Sequence, residues 1–588
     1  MTTTCRRDRL ARPAPVAARA PRAALVCAAL ALLLAHTPGA LRAQAPRDSA
    51  PAWTRSSIHL AEYRFETARR LLDQVDLTRA MGADTSVHGV PLDTLEARYA
   101  EALDSLQSVH ALIPPRALAP AERKALLDLY AAASRHLKPL PPRASAVVAR
   151  DPRCDYDADA LAGGDKGIDS LTARILACYS RAARTIRFGN DTLDRLTVLG
   201  RLEREGDPLE GEALWLSLDQ VWRSMNGAND ARSPWRTLIG ALARKWKSDS
   251  LPVNARTREL GLTPAQAEQW LVRALDAWRR ATPDSLIEPW DWYYINGAAS
   301  RTLAGRVAQR EMRPIVERYY AALGADLAAL NVWFDTDPRP GKKPLSYTTF
   351  GDRPRWTRDG WLPGEPTIVA TFREGGLFNL NEFAHEVGHA VHIAGIRARP
   401  QYADWPDSDP FTEGLADIVA LDVYEPAWQQ RWLGAHTDTV SGLRGRYGGI
   451  MLDMAWALFE IRMHRAPAAD PNAAWTAITS RYLHIRPHPE RSWWAARAQL
   501  FDLPGYMLNY ALGAFLIADV RATYRARHGD WIAGDTAWYA RMRTALYQFG
   551  TSVPSHDVLV KFLGRPMRPD ALLADLDRMR TAGAKRRK

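Results

Sequence analysis

Apolar residues recur every three to four positions over long stretches of this chain, with charged residues filling the gaps. Ile58, Ala61, Phe65, Ala68 and Leu72 form one such stripe, and Leu95, Tyr99, Leu103, Leu106, Val109 and Ile113 form another. Thr263 and Pro264 supply an N-cap and a proline at the first helical position. They open a predicted helix whose buried face carries Trp270, Leu271, Ala274 and Trp278. The spacing predicts amphipathic helices from about 57 to 330, with turns at the Pro-rich breaks 114–120 and 138–143. Stripes of this kind build a core; they do not line a cofactor.

The pattern changes near 331. Residues 331–366 are rich in Pro, Gly, Asp and Arg and read as loops. Thr367 to Phe372 is a β-branched run and reads as a short strand. Helical periodicity then returns and holds to the C-terminus, with breaks at 397–410, 466–472, 486–490 and 529–533. No repeat of fixed period is present, which excludes a solenoid. The expected class is mainly α, in three parts: a leader at 1–45, a helical region at 46–330 and a chemistry-bearing region at 331–588.

Composition narrows the class. A chain of 588 residues that is 47% apolar and 24% charged is globular and long enough for a large core. The formal charge is +12, but seven Arg against one Asp in the first 45 residues supply half of it. The remaining charge is modest for the size, so no nucleic-acid partner is expected. The leader itself has a basic start from Arg6 to Arg22, then an apolar run from Ala23 to Ala35, with Ala43-Gln44-Ala45 as a cleavage signal. The run is too short to span a membrane and reads as an export signal. Export places the mature chain in the periplasm or outside the cell, as a monomer without a membrane span. Cys154 and Cys178 survive cleavage, and an oxidising compartment permits them to pair. Such a bridge closes a loop of ~25 residues and contributes ~3 kcal/mol.

One segment carries chemistry. His385-Glu386-Val387-Gly388-His389 places two histidines one helical turn apart on one face, with Glu386 between them. Two imidazoles so placed can bind one Zn²⁺, leaving Glu386 as a base. Asn379 and Glu382 have the spacing of a capping box, and Phe383, Val387 and Val391 form an apolar stripe, so the segment is a predicted helix. Gly388 is a poor helix former, and a close neighbouring backbone would explain it. The third ligand is not at the metzincin position, because Gly and His there are replaced by His392 and Gly395. Nor is it nineteen residues on, where Ser408 stands.

The better candidate is Glu413. Asp409 as N-cap and Pro410 as first residue start a second predicted helix, and Leu415, Ile418, Val419 and Val423 bury one side of it. Glu413 and Asp417 share another side, one turn apart. Like charges so close repel unless a cation or separate partners relieve them. Glu413 as zinc ligand and Asp417 as acceptor for a ligand histidine satisfy both.

The sequence here resembles the zinc oligopeptidases, the group of thimet oligopeptidase and angiotensin-converting enzyme. The interval from His389 to Glu413 and the Glu413-Gly-Leu-Ala-Asp417 run are most similar to angiotensin-converting enzyme. Glu288-Pro-Trp-Asp-Trp-Tyr-Tyr294, Asp337-Pro-Arg-Pro-Gly-Lys342, Gly505-Tyr-Met-Leu-Asn-Tyr510 and Lys561-Phe-Leu-Gly-Arg-Pro566 look more like thimet oligopeptidase. The likeness covers about 285–575. It implies a large helical body with a deep substrate channel, one zinc ion at its floor, and a small sheet next to the zinc helix. It implies that Tyr510 hydrogen-bonds the oxyanion while Tyr506 contacts substrate. Two family positions differ: Phe501 stands for a histidine and Gly513 for a tyrosine. His484 and His488 lie upstream of the first gap, and Arg497 falls near a cationic anchor for a peptide carboxylate.

The expected activity is hydrolysis of short peptides, as an oligopeptidase or dipeptidyl carboxypeptidase, with Glu386 as base and the 367–372 strand as a rail for extended substrate. A zinc amidase acting on cell-wall peptides and a non-catalytic binding protein with a vestigial site are the alternatives.

Overall fold

In a computed structural model the chain is described from 52 to 587, apart from 82, 111, 141–153, 165, 247–250, 284, 338–345, 358–359 and 373. The expected leader lies outside the described residues. The periodic stripes fold as helices, and the architecture is mainly α. The first stripe forms α1 (His59–Ala80), the second α2 (Leu92–His110), and α3 (Pro120–His136) completes a three-helix unit. Ile58, Phe65, Leu95, Tyr99, Leu126 and Leu129 fill a core private to this unit.

Helix α4 (Gly167–Arg184) follows, then a hairpin of β1 (Ile186–Phe188) and β2 (Asp191–Leu193). Cys178 on α4 is bonded to Cys154, with the Cα atoms 5.6 Å apart. Helix α5 (Pro252–Arg258) leads to α6 (Pro264–Ala281). Thr263 caps α6, and Gln266 returns the hydrogen bond to the Thr263 N–H, giving a full capping box. Trp270, Leu271, Ala274 and Trp278 are all buried on one face of α6.

Residues 331–366, expected as loops, contain strands. β3 (Trp333–Asp335) and β4 (Tyr347–Phe350) flank β7 (Pro366–Val369) in one sheet, and β5 (Arg355–Thr357) pairs with β6 (Gly360–Leu362) in a separate hairpin. Each strand has three or four residues, too few to show a period of two between Pro and Gly. The predicted 367–372 strand is β7, and it is the middle strand, parallel to β3 and antiparallel to β4. Both of its edges are therefore paired. Thr371 and Phe372 leave the sheet, and the Phe372 ring packs 5.6 Å from Phe383.

Behind the sheet runs α7 (Leu377–Gly395), then α8 (Asp409–Ala420), α9 (Thr439–Arg465), α10 (Met507–His528) and α11 (Asp570–Arg587). One continuous core extends from Ala158 to Met579, so residues on both sides of 330 share it. The Trp270 ring of α6, for example, meets Phe515 of α10 at 5.5 Å.

The three-helix unit joins this body through charges. Arg69 pairs with Asp404 at 2.8 Å, Arg353 with Asp73 at 2.6 Å, and Arg399 with Glu122 at 3.1 Å. Tyr402 Oη donates to Asp128 at 2.6 Å. Among the described residues no helix is long and apolar enough to cross a membrane.

Candidate metal centre

The two helices that carry the expected ligands begin slightly differently from the sequence reading. Helix α7 starts at Leu377, after Gly376 at φ 105°, so Asn379 is already inside it. The Asn379 Nδ2 donates to the carbonyls of Glu374 and Gly375 at 3.0 and 3.3 Å, bracing the preceding turn. The Asn379–Glu382 capping box does not form. Glu382 instead lies among the other acids of the site, and burial pushes its pKa up to about 7; His385 opposes the shift and Glu386, Asp417 and Glu413 add to it. Helix α8 is capped by Ser408, whose hydroxyl accepts the Phe411 N–H at 3.3 Å, with Asp409 one place inside. Asp409 pairs with Arg256 at 2.5 Å instead.

Gly388 explains how α7 and α8 approach. A methyl group in its place would collide with the Ala416 carbonyl of α8, so the helices touch through backbone. Glu413, three positions before Ala416, is thereby brought over the two imidazoles.

The three side chains converge. Glu413 Oε2 lies 3.5 Å from His385 Nε2 and 3.8 Å from His389 Nε2, and the three ligand atoms lie within 4.8 Å of one another. Tetrahedral ligands with bonds of 2.0–2.1 Å to one Zn²⁺ stand about 3.4 Å apart. The His385, His389 and Glu413 group can hold a metal ion. The rings of His385 and His389 are nearly perpendicular, at 89°, with centroids 4.6 Å apart. Side-chain exposures of 18% for His385, 10% for His389 and 23% for Glu413 leave the group partly accessible to solvent.

Electrostatics support a cation there. Burial disfavours charge on His385, but Asp417 and Glu413 outweigh it and drive the imidazole pKa well above its ordinary value. Burial likewise opposes charge on Glu413, and the two imidazoles hold its carboxyl far below the usual range. Both shifts favour positive charge between these groups. A divalent ion supplies it with both imidazoles neutral, the form in which they ligate. Asp417 Oδ1 sits 2.7 Å from His385 Nδ1, which leaves Nε2 for the ligand position. His389 Nδ1 is buried without a hydrogen-bond partner among the described residues.

Glu386 lies beside the group and is itself buried. Thr348 Oγ1 of β4 is 2.6 Å from Glu386 Oε2 and 2.9 Å from its backbone carbonyl. Sequence reasoning missed Thr348, because it falls in a segment read as loop and no motif marks it.

The two tyrosines enter from the start of α10. Tyr506 Oη donates to Glu413 Oε1 at 3.4 Å, so its first contact is the ligand carboxylate. The Tyr510 ring lies 5.4 Å from that of Tyr506, and its hydroxyl accepts from Gln499 Nε2 at 3.4 Å. Burial pushes the Tyr510 phenol up to about 12, with Arg497 lowering it and Glu413 raising it. Arg497 is bound to the half-buried Asp453 and stacks 4.7 Å over Trp456, so it is already paired. His484 and His488 also have local partners: His484 Nε2 contacts the Arg279 carbonyl at 3.2 Å, and His488 bridges Glu288 and Glu490 at 2.9 Å each. Phe501 is wholly buried against Tyr179.

No protein-family model matches this chain, and neither does any curated protein.

Proposed function

We propose that the protein is a zinc metallopeptidase that hydrolyses short peptides outside the cytoplasm. The observation that carries the reading is the convergence of His385, His389 and Glu413, with Glu386 beside them and Asp417 behind His385. Nitrogen and carboxylate donors in a three-ligand set are typical of catalytic zinc, which keeps a position open. Likeness of the motifs to the zinc oligopeptidases supports the substrate class.

A zinc ion in this site would supply Lewis-acid polarisation and an acidified water. The proton work falls to Glu386. With Oε2 engaged by Thr348, its other oxygen takes a proton from the attacking water and later delivers it to the departing amine. Tyr510 keeps its proton at neutral pH and donates from Oη to the carbonyl oxygen as charge develops there, a contribution of ~3 kcal/mol. Tyr506 orients Glu413. The rail for extended substrate is reassigned. β7 is enclosed on both edges, whereas β3 and β4 are edge strands, and of these β4 carries Thr348 to Glu386. A peptide pairing with β4 through its main chain passes the base with little dependence on sequence.

The test is a mixed pool of short peptides, folded proteins and muropeptides incubated with the mature, zinc-loaded chain, with products read by mass spectrometry. Cleavage of short peptides is expected. Cleavage of muropeptides alone would make it a cell-wall amidase, and stoichiometric zinc without any cleavage would make it a binding protein. Glu386→Gln is expected to retain zinc and lose turnover; near wild-type cleavage by that variant would remove Glu386 as base.

A further inference from the structure

Glu460 lies on α9 with no exposed surface, outside the metal group. Its side chain ends at the entrance to α10. Oε1 accepts the Gly505 N–H at 2.5 Å; the Met507 N–H acts on the same carboxyl through the field alone, and no hydrogen bond reaches Oε2 among the described residues. Tyr506, the residue before α10, offers no side-chain cap of its own. The residue just before the helix start is therefore held by a side chain 45 positions earlier in the chain. Gly505 is held from the other side as well. It has φ +89°, and a Cβ there would lie 2.9 Å from the Pro252 carbonyl carbon and 3.0 Å from the Val253 nitrogen at the start of α5. The loop that launches both tyrosines is thus clamped between a carboxyl and a backbone.

We propose that Glu460 is a positioning residue for Tyr506 and Tyr510: by holding the Gly505 N–H it fixes the start of α10, and with it the two phenols beside Glu413. The catalytic consequence rests on the peptidase reading; the structural one does not. Arg256 of α5 and His464 of α9, whose Nε2 is 3.9 Å from Oε1, are the charged or titratable groups nearest the carboxyl. Burial pushes Glu460 up to about 8 against the pull of the two N–H groups and Arg256, so at neutral pH it acts as a neutral acceptor. Gln has that acceptor at the same reach. Asp has it one methylene short.

The experiment compares Glu460→Gln and Glu460→Asp by amide hydrogen exchange in the zinc-free protein and by steady-state kinetics in the zinc-loaded one. In Glu460→Asp, exchange at residues 505–509 should rise about tenfold and kcat should fall about tenfold, with KM within about twofold. Glu460→Gln should match wild type in both. Wild-type protection of 505–509 in the Asp variant would overturn the proposal. So would equal impairment by Gln, or an even loss of protection across the molecule with kcat unchanged. If wild type cleaves no peptide, the exchange comparison still decides the contact, and the failure belongs to the proposed activity.

Discussion

Asp417 Oδ1 lies 2.7 Å from His385 Nδ1, and this contact directs the other ring nitrogen, Nε2, toward Glu413. The pair spans two helices, so it fixes the ring where α7 and α8 touch. Among the described residues none accepts from His389 Nδ1. The centre therefore depends on Asp417 alone for outer-shell support of its imidazoles among the described residues. Asp417→Ala is expected to weaken zinc binding by about 10- to 100-fold. Asp417→Asn keeps an acceptor oxygen without the charge and should fall between. Competition against a colorimetric chelator measures both; wild-type affinity in the Ala variant would show that the carboxylate does not tune the site.

Two glycines in helix interiors should respond in opposite directions. A side chain at Gly388 meets the Ala416 carbonyl, and neither backbone can yield without separating the ligands. Gly388→Ala should therefore destabilise the fold by about 1–3 kcal/mol or more and cut zinc affinity with it. Gly449 is also inside a helix, α9, but nothing lies within 4 Å of a Cβ there. Gly449→Ala should stabilise by about 1 kcal/mol through helix propensity alone. Thermal melts of the two variants against wild type check the signs, and a neutral Gly388→Ala would mean the helices are not in backbone contact.

Thr348 is expected to matter for turnover without touching the metal. Its hydroxyl is 2.6 Å from Glu386 Oε2, and a valine has the same shape without the donor. Thr348→Val leaves that buried oxygen short of a partner and the carboxylate free to rotate. A loss of about tenfold in kcat is expected, with zinc stoichiometry unchanged and Thr348→Ser near wild type. Equal kcat in the Val variant would remove Thr348 from the site.

Helical stripes were legible because each runs for several turns, and Ile58, Phe65 and Ala68 are all buried as their spacing implies. The grouping of His385, His389 and Glu413 was legible for a related reason: two ligands sit one turn apart, and the third lies in the first turns of a helix marked by Asp409 and Pro410, although the cap itself proved to be Ser408. What was not legible depends on partners distant in sequence. β4 is four residues long, and only its pairing with β7 makes it a strand. Asn379 and Glu382 have capping-box spacing, but Gly376 lets the helix begin earlier, and no local rule ranks the two starts. Glu460 looks like any charged residue on a long helix until Gly505 is placed against it.

His392 gives the fold an acid sensitivity of its own. It is wholly buried between Trp405 and Tyr547, with ring centroids 5.8 and 5.1 Å away, and neither of its nitrogens has a hydrogen-bond partner among the described residues. Burial, with His389 adding to it, pulls its pKa down to about 3. An unfolded histidine titrates near 6.5. Below about pH 6.5 the unfolded chain therefore binds a proton that the folded chain refuses until near pH 3. The stability this residue permits is complete above pH 6.5 and is lost as pH falls, at about 1.4 kcal/mol per unit. Buried acids such as Glu382 shift the opposite way, so the effect is read as a difference between two proteins. Leu fits the apolar surroundings and does not titrate. Zinc-free wild type and His392→Leu are to be melted between pH 7.5 and 5.5, and wild type should lose ground against the variant only on the acid side of 6.5. A gap that stays constant across that range would mean His392 takes up its proton in the folded protein as readily as in the unfolded one.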